Sequence, residues 1–492
     1  MRETSEECVP RGREAGRRPR ARRVDERSAG SRTCSNSGGN RGLGRDARRR
    51  PGAIRSCATG GSGVRSAAVS CGIVTRCRVP ASLASVTTIR PNVEVPPREV
   101  GVDPAAVDRI WEAAEEIYRS GIHPALALCV RHRGEVLLDR ALGHARGNGP
   151  DDPPDGPKVL ATPETPFGMM SATKAVTAMI VHLLDERNLL RIDDRVCEYI
   201  PEFGVESKRW ITIRHVLAHR AGLPSPPPEA MDLDLVTDPD RVLEVLTAMP
   251  LSSRPGRQLA YHAITGGFIL GEIVRRVTGG SIRSLHDDAI RRPLGLRWMR
   301  YGIDEEDLGQ IATNYFTGFP VLPPVSIILR RTLGVGFERA VELSNDPRFL
   351  CGILPAASMV ATADELCRFY EMLLRGGELG RVRVFDPRTV RRATGEQSYL
   401  EFDFTLGFPL RYGAGFMLGG DYLSFYGPDT SHAFGHLGLT NVVAWADPER
   451  EVSCAFMTSG KPLFHPAVLW MWEMFRRIGV ACPKLHPGGL RR

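Results

Sequence analysis

Met169-Met170-Ser171-Ala172-Thr173-Lys174 opens a helix-like apolar run that continues from Ala175 to Leu190. A serine and a lysine three residues apart share one face of a helix, so Lys174 can reach the Ser171 hydroxyl and act as its base. An unassisted serine hydroxyl is a poor nucleophile at neutral pH. Burial or a neighbouring cation lowers a lysine from its reference pKa of about 10.4 and leaves an amine able to take the proton. The helix N-terminus also favours negative charge formed there.

The spacing by itself arises by chance about once or twice in a chain of this length. Lysine usage gives it more weight. The chain has five lysines, at positions 158, 174, 208, 461 and 484, against 60 arginines. Arginine serves almost wherever a positive charge is wanted, yet it cannot be deprotonated to act as a base. A lysine kept at position 174 therefore points to chemistry. From the motif alone, a helix-capping serine followed by a solvated lysine remains the alternative.

With 492 residues, 42% of them hydrophobic, the chain is long enough for a large core. Its net charge of +8 is unevenly placed: residues 1–90 hold 20 arginines and 7 acidic residues, and the remainder is mildly acidic. Runs such as Arg48-Arg49-Arg50 among Gly and Ser carry no apolar periodicity, so residues 1–95 are expected to be a disordered arginine-rich extension. A start assigned upstream of the true one in a GC-rich gene would also produce such a leader. No aromatic residue interleaves these arginines to stack on bases, so no nucleic-acid partner is expected. The folded domain is expected at 96–482, with a short tail at 483–492.

The first residues lack the apolar segment of a secretory signal, and no run of about 20 apolar residues predicts a membrane span. Five of the eleven cysteines lie in the leader, and the others sit mostly in apolar settings such as Leu128-Cys129-Val130. They read as small core residues in a reducing cytoplasm, with no metal-ligand spacing. Neither a metal nor a cofactor is expected.

Asp103-Pro104 starts a predicted helix, and Ala125–Arg131 with Glu135–Ala141 predicts a hairpin about Gly134. Helical patterns dominate from Ser171 to Arg292. An apolar, proline-containing stretch from Phe319 to Leu329 reads equally as core packing or as a lid over a lipophilic pocket. Strands are predicted at 413–418, 441–446 and 452–458, and a last helix at Ala467–Ile478. The order predicts one α/β lobe built from both chain ends, with a helical lobe inserted.

Two further stretches bear on Ser171. Tyr261 precedes an amphipathic helix, where its phenol could relay a proton to a leaving group. Phe434-Gly435-His436-Leu437-Gly438-Leu439 runs into a strand, and its glycines allow a backbone to approach a substrate closely. Alone, each reads as packing or as a plain turn.

Together these elements resemble the serine β-lactamase and penicillin-binding superfamily, specifically its class C β-lactamase-like branch with the family VIII carboxylesterases, over about residues 103–480. Ser171 and Lys174 match its Ser-x-x-Lys, Tyr261 its Tyr-x-Asn, and His436-Leu437-Gly438 its Lys-Thr-Gly or His-x-Gly element. Val216-Leu217-Ala218-His219-Arg220-Ala221-Gly222-Leu223-Pro224 matches a further family segment, in which His219 has a structural role. The resemblance implies an α+β fold: an antiparallel sheet flanked by N- and C-terminal helices, plus an inserted mainly helical lobe. It implies Ser171 as nucleophile, Lys174 and Tyr261 as general base and acid, and an oxyanion hole from the backbone N–H groups of Ser171 and Leu439, beside His436 and Gly438. Such donors are worth roughly 3–4 kcal/mol each.

The departures narrow the substrate. Ala263 stands where the family's asparagine would bind an acylamino group. His436, mostly neutral near pH 7, replaces a lysine that would hold a carboxylate. The expected activity is hydrolysis of a small neutral ester through an acyl-enzyme. A β-lactamase or D-amino-acid peptidase, an acyltransferase and a catalytically silent binding protein are the alternatives. No Gly-x-Ser-x-Gly elbow of an α/β-hydrolase occurs.

Overall fold

The computed structural model describes residues 75–226, 232–236, 238–422, 424–463 and 465–485. Expectations for the leader up to residue 74, and for the tail beyond 485, fall outside the described residues. Strand β1 (Thr87–Ile89) lies ahead of the domain boundary expected at 96, because it pairs with the edge of the main sheet.

Asp103 caps helix α1 (Pro104–Arg119) by accepting from the Ala105 N–H, and Pro104 sits in the first turn where no donor is needed. The hairpin follows as β2 (Ala125–His132) and β3 (Glu135–Arg146), turning at Gly134 with a φ of 90°. The far end of the chain supplies β4 (Ser398–Phe402), β5 (Pro409–Tyr412), β6 (Met417–Leu418), β7 (Phe434–Gly438), β8 (Val442–Asp447) and β9 (Val452–Thr458). The order is β1-β3-β2-β9-β8-β7-β6-β5-β4, with every pairing antiparallel. Both chain ends thus share one sheet. The strand expected at 413–418 is interrupted, because Gly415 takes a φ of 110° to turn β5 into β6.

Side chains alternate across the sheet and divide the core in two. Leu126, Leu128, Val130, Trp445 and Phe456 pack with Ile110, Ile117, Phe475 and Ile478, the last two from α7 (Ala467–Ala481). Ala125, Ala127, Cys129, Ala444 and Ala455 point the other way. They pack toward α2 (Thr173–Glu186) and α6 (Ala363–Leu374). Small residues on this face let those helices approach closely. With both faces covered, β2 and β9 read as continuous apolar runs.

Between the two halves of the sheet lies the helical lobe, including α3 (Thr265–Thr278), α4 (Val325–Leu333) and α5 (Phe337–Leu343). The apolar stretch from Phe319 onward resolves into an irregular segment with a turn at Pro323–Pro324, followed by α4. Residues 173–185 of α2 are all buried, so this helix forms the spine of the molecule.

Candidate active site

Ser171 lies on a 3-10 turn, Met170–Ala172, that leads directly into α2. Met169 donates its N–H to the Met359 carbonyl at 2.8 Å, anchoring the turn. Met170 takes a left-handed φ of 49°, which costs a non-glycine residue on the order of 1–3 kcal/mol. The buried surroundings hold it there and set Ser171 at the end of a cavity.

Lys174 Nζ lies 2.9 Å from Ser171 Oγ and donates to the Ala356 carbonyl at 3.0 Å. No carboxylate appears among its hydrogen-bond or ion-pair partners in the described residues. Burial alone therefore brings its pKa down to about 7, leaving a large neutral fraction at physiological pH. The Ala356 segment is held close by α3, where a Cβ on Gly267 would meet the Ala356 nitrogen at 2.6 Å. The glycine thus lets α3 press this carbonyl toward the lysine.

Tyr261, just before α3, lines the same cavity as Ser171, and Lys174 Nζ lies 5.1 Å from the centre of its ring. Burial raises the tyrosine pKa, so its phenol keeps its proton. Buried Asp403 holds the tyrosine backbone: one carboxylate oxygen accepts from the N–H groups of Tyr261, Thr405 and Leu406, the other from the Tyr412 hydroxyl. His219 packs beside Tyr261 at 4.7 Å between ring centres, and its Nδ1 accepts from the His262 N–H. That acceptor role and a left-handed φ of 58° fit a turn-forming histidine.

His436 sits on β7, 6.3 Å from Tyr261 between ring centres, with Nδ1 donating to the Leu437 carbonyl. Burial, reinforced by Lys174, pushes its pKa down to about 3, so the imidazole is neutral. Gly438 lets β7 approach the serine turn: a Cβ there would fall 2.1 Å from the Met169 carbonyl oxygen. Leu439 follows with a φ of 47°, a second strained residue at the site.

Ser171, Tyr261, Leu437 and Leu439 line a cavity of about 530 Å³. Its walls are largely apolar: Leu329 and Leu333 from α4, Phe337 and Leu343 from α5, with Ala263, Phe349, Leu406 and Phe408. The lid reading of the 319–329 stretch thus agrees with the position of Leu329 over this cavity.

Ser171, Lys174, Tyr261, His436, Gly438 and Leu439 thus lie together around this cavity. Ala356 and Asp403 had not been singled out. The first acts through a backbone carbonyl and leaves no side-chain signal. Asp403 in Phe402-Asp403-Phe404-Thr405 reads as one more turn-forming aspartate. Among the described residues, no cluster of His, Cys, Asp and Glu could hold a metal ion.

A family model described as Beta-lactamase matches residues 108–472. Esterase/beta-lactamase LipL of Mycobacterium tuberculosis is 29% identical over 59% of this chain and 68% of its own length. The crystal structure of a penicillin-binding protein homologue from Caulobacter crescentus, 28% identical, superposes with a TM-score of 0.63 over 76% of this chain and 98% of that one. A family VIII carboxylesterase structure, at 22% identity, shares the fold with a TM-score of 0.65 over 77% of this chain and 98% of that one. With the family model spanning most of its length and the sheet closed by both chain ends, this chain belongs to the beta-lactamase family.

Proposed function

We propose that the protein is a serine hydrolase that cleaves neutral carboxylic esters through an acyl-enzyme on Ser171. The observation that carries this reading is the Lys174–Ser171 hydrogen bond beside Tyr261 at an apolar cavity, with the lysine's pKa brought to about 7. Neutral Lys174 takes the Ser171 proton as Oγ attacks the ester carbonyl, and the backbone N–H groups of Ser171 and Leu439 receive the developing oxyanion. The proton then passes through the Tyr261 hydroxyl to the departing alkoxide, which leaves as the alcohol. In the second half, water gives a proton to the Lys174–Tyr261 pair and attacks the acyl carbon. Ser171 recovers its proton as the acid leaves.

The acceptance of esters over β-lactams or D-alanyl peptides is supported by Ala263 and neutral His436. Ala263 offers no side-chain amide to an acylamino group, and neutral His436 leaves a substrate carboxylate without a fixed cation in an apolar cavity, where an unpaired charge is costly. The esterase named among the relatives agrees. The seven described cysteines are all free thiols, which supports a reducing, cytoplasmic setting.

The test is turnover of p-nitrophenyl acetate and butyrate, with nitrocefin and a D-alanyl-D-alanine peptide alongside. Ester turnover that disappears in Ser171→Ala, and exceeds turnover of the other two, is expected. Equal ester turnover by the wild type and Ser171→Ala would remove the assignment.

A further inference from the structure

Helix α4 is apolar on two sides. Leu329, Thr332 and Leu333 face the cavity that holds Ser171. Ile327 and Ile328 on the same helix are nevertheless 50% and 51% exposed, and the approach to the helix adds Phe319 at 47% and Leu322 at 69%. A lid that only covered a pocket would present polar residues to water. Phe408 also lines the cavity and is itself exposed, as is Phe404 in the same loop.

Within this segment itself the charge has one sign, the nearest carboxylates in sequence being Glu338 and Glu342 on α5. From Thr317 to Phe337 the chain contains no acidic residue, and its two charges are Arg330 and Arg331, both exposed on α4. No ion pair holds either arginine among the described residues. An exposed helix surface that carries apolar side chains together with unpaired arginines is the pattern of a segment that lies in the headgroup layer of an anionic lipid surface. Each basic side chain near such a surface adds attraction, while the apolar side chains enter the acyl boundary.

We propose that α4 and its approach dock the mouth of the cavity onto an anionic lipid surface. Leu329 and Leu333 would then line the path by which a lipophilic ester passes from that surface to Ser171. The substrate part of this inference rests on the ester-hydrolase reading, whereas the docking itself does not.

Flotation of the full chain with vesicles separates the possibilities. Vesicles of phosphatidylcholine alone are compared with vesicles containing about one third phosphatidylglycerol, using wild type, Ile327→Ser/Ile328→Ser, Arg330→Gln/Arg331→Gln and Ser171→Ala. The wild type and Ser171→Ala are expected to float with anionic vesicles, and both double variants to lose binding by about tenfold while still hydrolysing p-nitrophenyl acetate in solution. Double variants that bind as well as the wild type would overturn the proposal, since the arginine-rich leader alone would then be holding the vesicle. Sedimentation as a dimer that the Ile327→Ser/Ile328→Ser variant dissociates would also overturn it, assigning the face to a second copy. Vesicle binding without any ester turnover would leave docking standing and remove the hydrolase reading instead.

Discussion

Two lysines of this chain are buried in the sheet-centred lobe with amines brought by burial to about 7, and they occupy very different surroundings. Lys174 touches the Ser171 hydroxyl and the Ala356 carbonyl at the end of a cavity. Lys461 donates to the Thr458 carbonyl in closed packing, near His123, whose ring nitrogens meet the Gly460 carbonyl and the Asn441 amide. Burial of His123 itself, with the charge of Lys461 second, holds its imidazole neutral, at about 3. A depressed amine is therefore no mark of catalysis by itself. What separates the two is a hydroxyl within reach and room for a substrate.

The largest effect expected from this contrast is on turnover. Lys174→Met and Ser171→Ala should each reduce p-nitrophenyl butyrate hydrolysis by at least about 10³-fold, while Lys461→Met changes it less than about threefold. Lys174→Arg should be as inactive as Lys174→Met, because a guanidinium keeps its proton. A comparable loss in Lys461→Met would break the distinction.

Tyr261→Phe should cost roughly 10²–10³-fold in kcat with a smaller change in KM, since the phenol is assigned to proton transfer. An unchanged kcat would transfer that role to another group. Gly438→Ala should impair the site by displacing β7 from the serine turn, given the 2.1 Å approach to the Met169 carbonyl. A crystal structure or activity assay of that variant checks it.

The pH dependence sharpens the comparison further. Activity needs neutral Lys174, so kcat/KM should climb about tenfold per pH unit below about 7 and level off above it. The alkaline limb lies far away, because burial raises Tyr261.

Stability should respond to both lysines. Each amine sits near 7 folded and near 10.5 unfolded, so between those values only the unfolded chain holds the proton. Stability therefore rises with pH through that window, and the full deficit is present below about 7. Lys461→Met should raise the melting temperature by a few degrees, a gain on the order of 4 kcal/mol at pH 7 that fades toward about pH 10. Lys174→Met should gain stability in the same pH window while losing activity, a trade common at functional sites. A gain independent of pH would assign the effect to packing.

Much of this was readable from residue order. Asp103-Pro104, the Gly134 hairpin and the 452–458 strand follow from local rules of capping, turning and β preference. The scarcity of lysine singles out Lys174 without reference to any partner. Lys461 belonged to the same short set, and only tertiary structure shows that its amine meets a carbonyl instead of a hydroxyl. The Phe319–Leu329 stretch read equally as core or lid, because one helix presents apolar residues both inward and outward. Asp403 and the Ala356 carbonyl act across 142 and 182 residues of chain, distances that no local pattern spans.

The most direct test of the central claim is to quench the enzyme during turnover of a p-nitrophenyl ester, or after a fluorophosphonate probe, and map the covalent adduct by peptide mass. An adduct on the peptide carrying Ser171, absent from Ser171→Ala and slowed in Lys174→Met but not in Lys461→Met, is the predicted result. An adduct on any other residue, or equal labelling of all four proteins, would contradict it.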